Sequence, residues 1–115
     1  DLGHYAGQAA AGTGLVAGMM RQAASAPVAQ AIKAGMERGL LDLARAETAL
    51  QTLIPAPAQS LADHFAPLLA QWQAAGLWEP QHRFYRLSRA GRFWQVPMTT
   101  RLLGWLAHHP DLSRN

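Results

Sequence analysis

Between Gly76 and Ser88 the chain has room for little except a tight β-hairpin, and this constrains the fold more than any other stretch. Gly76 closes a helical pattern, Leu77 and Trp78 begin a short strand, Glu79 to His82 can turn, and Phe84, Tyr85 and Leu87 form the return strand. Ser88 then reads as the cap of another helix.

Helical patterns fill the chain on both sides of that hairpin. Pro27 to Arg38 is bracketed by Ser25 as a cap and Gly39 as a left-handed stop, with Val28, Ile32 and Met36 on one face. Asp42 caps a second helix through Leu53, whose apolar stripe is Leu43, Ala46, Leu50 and Leu53, and Pro55 and Pro57 end it. Ser60 with Asp63 resembles a start box for a third, which turns Leu61, Phe65, Leu68, Leu69 and Trp72 inward, while Pro67 should kink it or mark its true beginning. In the fourth, Phe93, Trp94, Val96, Leu102, Leu103, Trp105 and Leu106 give a broad apolar face, bent or divided at Pro97. The expected fold is therefore mainly α with one small β-hairpin, winged-helix-like.

The 115 residues suit one core and are too few for two. Residues 1–24 read as a flexible, Gly/Ala-rich lead-in, and residues 25–115 as the folded domain. Gly12, Gly14 and Gly18 loosely resemble a phosphate-binding loop, but no lysine or buried strand accompanies them, so close packing or a joint is the preferred reading. The start, DLGHYAGQ, carries no basic leader and no initiating methionine and reads as an excised piece of a longer product. No apolar run approaches the length of a membrane span, so no membrane partner is expected.

Without cysteine the chain can hold neither a thiolate zinc site nor an iron–sulfur cluster. His4, His64, His82, His108 and His109 lack metal-ligand spacing, and His108 and His109 read as a frayed helix end. No Ser, His and Asp set suggests nucleophilic catalysis, and Asp63 and His64, adjacent on a helix, point apart. Catalytic, metal and cofactor-binding residues are thus expected to be none.

The net charge of +3 lies wholly in the second half, since residues 1–58 carry four acids and four bases. Arg83, Arg86, Arg89 and Arg92 recur at every third position with no acid among them. A solvated edge is the plain reading; carboxylates or another protein surface come next, because guanidinium forks pair with carboxylates. Nucleic acid ranks last, because the third helix, SLADHFAPLLAQWQAA, has no lysine or arginine to meet phosphates. Of Trp72, Trp78, Trp94 and Trp105 at least two should be core, while Trp94, following Arg92 and Phe93, suits a rim against a partner.

The stretch GMMRQAASAPVAQAIKAGMERGLLDLARAETAL, the spacing from Phe65 to Leu77, and YRLSRAGRFWQVPM from Tyr85 to Met98 together resemble the C-terminal region of radical S-adenosylmethionine proteins of the oxygen-independent coproporphyrinogen III oxidase-like family. The heme-utilisation (HutW-type) branch is the nearest in pattern, through Leu87-Ser88-Arg89-Ala90-Gly91-Arg92-Phe93-Trp94, and the likeness covers about residues 18–106. The resemblance implies a non-catalytic accessory domain that covers the catalytic barrel of a cytoplasmic parent enzyme, an oxidoreductase or methyltransferase acting on a tetrapyrrole. It implies an iron–sulfur cluster and S-adenosylmethionine in that parent, and Arg89 and Arg92, with Trp94 beside them, as contacts to tetrapyrrole propionates. The alternative is a stand-alone winged-helix DNA-binding regulator or protein-interaction module.

Overall fold

The computed structural model describes residues 25–112. The expectations for the lead-in 1–24, its three glycines and His4 lie outside the described residues, as do the last three positions of the 25–115 domain. Eight elements follow in order: α1 (Ala26–Arg38), β1 (Leu40–Asp42), α2 (Leu43–Leu53), α3 (Leu61–Ala74), β2 (Trp78–Gln81), β3 (Phe84–Leu87), α4 (Arg89–Phe93) and α5 (Gln95–Ala107). Among the described residues the protein is a mainly α domain of five helices with a small three-stranded antiparallel sheet.

The first three helices form where their sequence signals predict, although the Ser25 side chain makes no cap bond to α1. Gly39 takes φ 77°, a left-handed stop that a side chain resists, and α1 buries Val28, Ile32 and Met36 completely. Asp42 accepts from the Arg45 N–H at 3.1 Å, and Ser60 from the Asp63 N–H at 3.0 Å, each satisfying one orphan donor of a first helical turn. Leu61, Phe65, Leu68, Leu69 and Trp72 all face the core, and α3 runs through Pro67, which sits on its exposed side. Glu47 of α2 adds a cap between helices: its carboxylate accepts from the Leu61 N–H at 2.8 Å and the Ala62 N–H at 3.3 Å.

The hairpin differs from expectation in two ways. It turns later, at His82 and Arg83, so that Gln81 pairs with Phe84, and His82 supplies the positive φ, 58°, that a two-residue connection demands. It also gains a third strand: Leu40, Leu41 and Asp42 pair with Arg86, Tyr85 and Phe84, giving the order β1-β3-β2. Three residues between two helices carry no alternation to read, and only the free edge of β3 makes them a strand. On the inner face Trp78 lies opposite Leu87, and Leu41 opposite Tyr85. Trp78 is 2 % exposed, meets Trp72 edge-on at 5.2 Å between centroids, and donates its indole N–H to the Leu69 carbonyl.

The C-terminal helix departs most from the sequence reading. It is divided into α4 and α5 at Trp94, three residues before Pro97, which falls in the first turn of α5 where its missing N–H costs no helical bond. Met98, Leu102 and Leu106 carry the burial, whereas Phe93 and Val96, expected on the same apolar face, point outward, and Trp94, placed on that face but also suited to a rim, is exposed with them. The break at Trp94 removes the common face that one continuous helix would have given them. His109 is corrected as well. Rather than fraying, it is completely buried, with Nε2–H donating to the Gln59 carbonyl at 2.7 Å and Nδ1 accepting from the Asp111 N–H at 3.1 Å.

Candidate functional site

The residues from Leu87 to Trp94 divide by what they touch. Leu87 is core. The Ser88 hydroxyl donates toward the Gly76 and Leu77 carbonyls, at 2.6 and 3.0 Å, and accepts from the Gly91 N–H at 3.1 Å, so one side chain joins the end of α3 to the start of α4. Gly91 lies so close to the strand entry that a Cβ there would stand 1.9 Å from the Leu77 carbonyl oxygen. These three positions build the platform; Arg89, Phe93 and Trp94 project from it.

The four arginines predicted as one series fall in four local settings. Arg83, at the turn, lies over the Phe84 ring at 5.3 Å. Arg86, on β3, stands opposite Glu79 across the antiparallel pair, where opposite charges support each other. Arg92 sends a guanidinium N–H to the Arg38 carbonyl at 3.2 Å, and the Gln95 amide donates to the Met36 carbonyl, so both close the C-terminal end of α1. The Arg89 side chain is exposed and makes no hydrogen bond, ion pair or ring contact among the described residues. A period of three crosses turn, strand and helix here, so sequence spacing could not place these cations on a common surface.

Trp94 is 51 % exposed, and its indole meets the Phe93 ring edge-on at 5.3 Å between centroids. Its backbone is fixed: the N–H reaches the Ala90 and Gly91 carbonyls, and its carbonyl accepts from the Met98 N–H at 3.0 Å. Phe93 and Val96, which the sequence reading placed in the core, are 79 % and 75 % exposed. Helical periodicity could have found them only had the break at Trp94 been legible.

A concavity of about 540 Å³ lies between α3 and α5, lined by His64, Arg101, Gly104, Trp105 and His108. Its histidines are held by backbone: His64 Nε2 bonds the Trp105 carbonyl, and His108 Nδ1 the Gly104 carbonyl at 2.9 Å. Among the described residues no three His, Cys, Asp or Glu side chains converge to hold a metal ion, and no helix is long and apolar enough to cross a membrane. No family model, no curated protein sequence and no solved structure matches this chain.

Proposed function

We propose that this chain is a non-catalytic winged-helix accessory domain of a radical S-adenosylmethionine enzyme of the coproporphyrinogen oxidase-like, heme-utilisation kind, covering the catalytic barrel and helping to position a tetrapyrrole. The single observation that carries the reading is the division of Leu87 to Trp94: Leu87, Ser88 and Gly91 are consumed by the fold, while Arg89, Phe93 and Trp94 stand outward. The order helix, strand, helix, helix, strand, strand, with β3 central in the sheet, supports the winged-helix element of the proposal. With no cysteine in the chain, the cluster and S-adenosylmethionine belong to another part of the parent polypeptide, an oxidoreductase or methyltransferase working in the cytoplasm.

In this reading Arg89 and Trp94 meet the tetrapyrrole, the guanidinium on a propionate and the indole against the ring. Arg92 joins them with the part of its fork not spent on Arg38. The DNA-binding alternative is weaker, because the exposed positions of α3 are Ala62, Asp63, Ala66, Pro67, Ala70, Gln71, Gln73 and Ala74, with no cation to displace counterions.

The test is a tryptophan-fluorescence titration of the chain with heme and with coproporphyrin, in wild type, Arg89→Ala and Arg89→Ala/Arg92→Ala. Saturable quenching weakened about tenfold by Arg89→Ala, the loss of one charge-assisted pair, is the expected result. Arg89→Ala leaves α1 untouched and is the cleaner variant. A folded wild type that binds neither compound removes the tetrapyrrole contact.

A further inference from the structure

The hollow between α3 and α5 is built from one face of α5 and a single histidine of α3. Arg101, Gly104 and Trp105 share that face, one helical turn apart or adjacent, and His108 continues it at the C-cap, with His64 as the facing wall. Gly104 keeps the floor open. A Cβ there would meet no atom within 4 Å, so packing does not demand a glycine, and in a helix interior glycine is less favourable than alanine. The missing side chain costs helix stability and leaves room beside the Trp105 ring. That ring and the His64 ring stand 6.0 Å apart at 60°, a wedge in which a third planar ring can lie on one face and meet the other by its edge.

The polar groups around the wedge are only partly engaged. His64 Nε2–H and His108 Nδ1–H donate to the Trp105 and Gly104 carbonyls, and because a carbonyl only accepts, each neutral ring keeps its proton on that nitrogen. The permanent positive charge at the hollow is therefore Arg101 alone. Its exposed guanidinium makes no hydrogen bond or ion pair among the described residues. No carboxylate of the two helices answers it: α5 carries none, and Asp63, the acid of α3, does not line the hollow. We propose that this hollow binds a small planar aromatic carboxylate, its ring in the Trp105–His64 wedge over Gly104 and its carboxylate on the Arg101 fork. A volume of about 540 Å³, with aromatic walls and one fixed charge, is of the kind that takes small ligands. Arg89, Arg92 and Trp94 do not line it, so the inference stands apart from the tetrapyrrole contact and survives its loss.

The experiment is a two-dimensional NMR titration of the 115-residue chain with naphthoate, and with naphthol and octanoate as probes that lack the carboxylate and the ring respectively. Naphthoate should shift the Trp105 indole N–H and the amides of Gly104 and His108 saturably, with a Kd below about 1 mM. Arg101→Gln should weaken naphthoate about tenfold, and naphthol and octanoate should each bind the wild type about tenfold less tightly. Gly104→Leu should fill the hollow and abolish the shifts while raising the urea midpoint, a pairing that a damaged fold cannot give. A folded wild type with no saturable shift at those positions overturns the proposal, as does naphthoate binding retained in Gly104→Leu or shifts centred on Phe93 and Trp94 instead. Equal affinity for naphthol or for octanoate overturns the assigned ligand class, and undiminished binding by Arg101→Gln removes the arginine from the site.

Discussion

Gly91 shows how one atom can decide a local fold. The Leu77 carbonyl occupies the place where a Cβ would sit, 1.9 Å away, and that carbonyl already accepts from the Ser88 N–H and hydroxyl. Gly91→Ala must therefore push α4 off the strand entry. The expected loss is about 2–3 kcal/mol, an overpacking cost, measured as a lower urea midpoint. Ser88→Ala, which removes a cap without adding volume, should cost about 1–2 kcal/mol in the same assay. The glycine was visible in the sequence as part of a motif, but its reason was not, because Leu77 lies fourteen positions upstream. Ser88 as a cap was legible, since capping is settled within one helical turn. Its second task, holding the Gly76 and Leu77 carbonyls, depends on where α3 ends in space.

Elements in this protein are closed by other elements as much as by their own ends. The α3 N-terminus is finished by Ser60 from its own turn and by Glu47 from α2, and the α1 C-terminus by Arg92 and Gln95 from α4 and α5. Glu47→Ala leaves the first two N–H groups of α3 without that carboxylate. It should lower stability by about 1–2 kcal/mol, an effect that shrinks in Glu47→Gln, which keeps one acceptor oxygen. Paired urea melts in low and high salt would separate the charge from the hydrogen bond, since only the first is screened. α1, α2 and α3 were readable with their inward stripes because their periodicity, caps and stops agree. β1 and the break at Trp94 were not: the first needs the free edge of β3, and the second falls before the proline that would ordinarily mark it.

Among the described residues, contacts between segments some fifty positions apart gather just after α5. His109, buried beside His64 at 5.0 Å between ring centroids, donates to the Gln59 carbonyl, and the Asp111 carboxylate accepts from the Ala58 N–H at 2.7 Å. The segment after α5 thereby holds the linker between α2 and α3. His109→Ala leaves a cavity and strands a backbone carbonyl. It should cost about 2–4 kcal/mol, and native-state hydrogen exchange should show the amides at the start of α3 opening before those of α1.

What the sequence determined by itself is everything that depends on neighbours within about one turn or one hairpin: three helices with their buried stripes, the caps at Asp42, Ser60 and Ser88, the stop at Gly39, and the existence of a hairpin after Gly76. Tertiary structure decided what depends on distance along the chain: the third strand, the scattering of four evenly spaced arginines into four settings, the burial of His109, and the exposure of Phe93, Trp94 and Val96. The physical reason is common to all of these. Propensity and capping are short-ranged and written in adjacent residues, whereas strand pairing, burial and the pairing of charges are settled only when segments far apart in the chain meet.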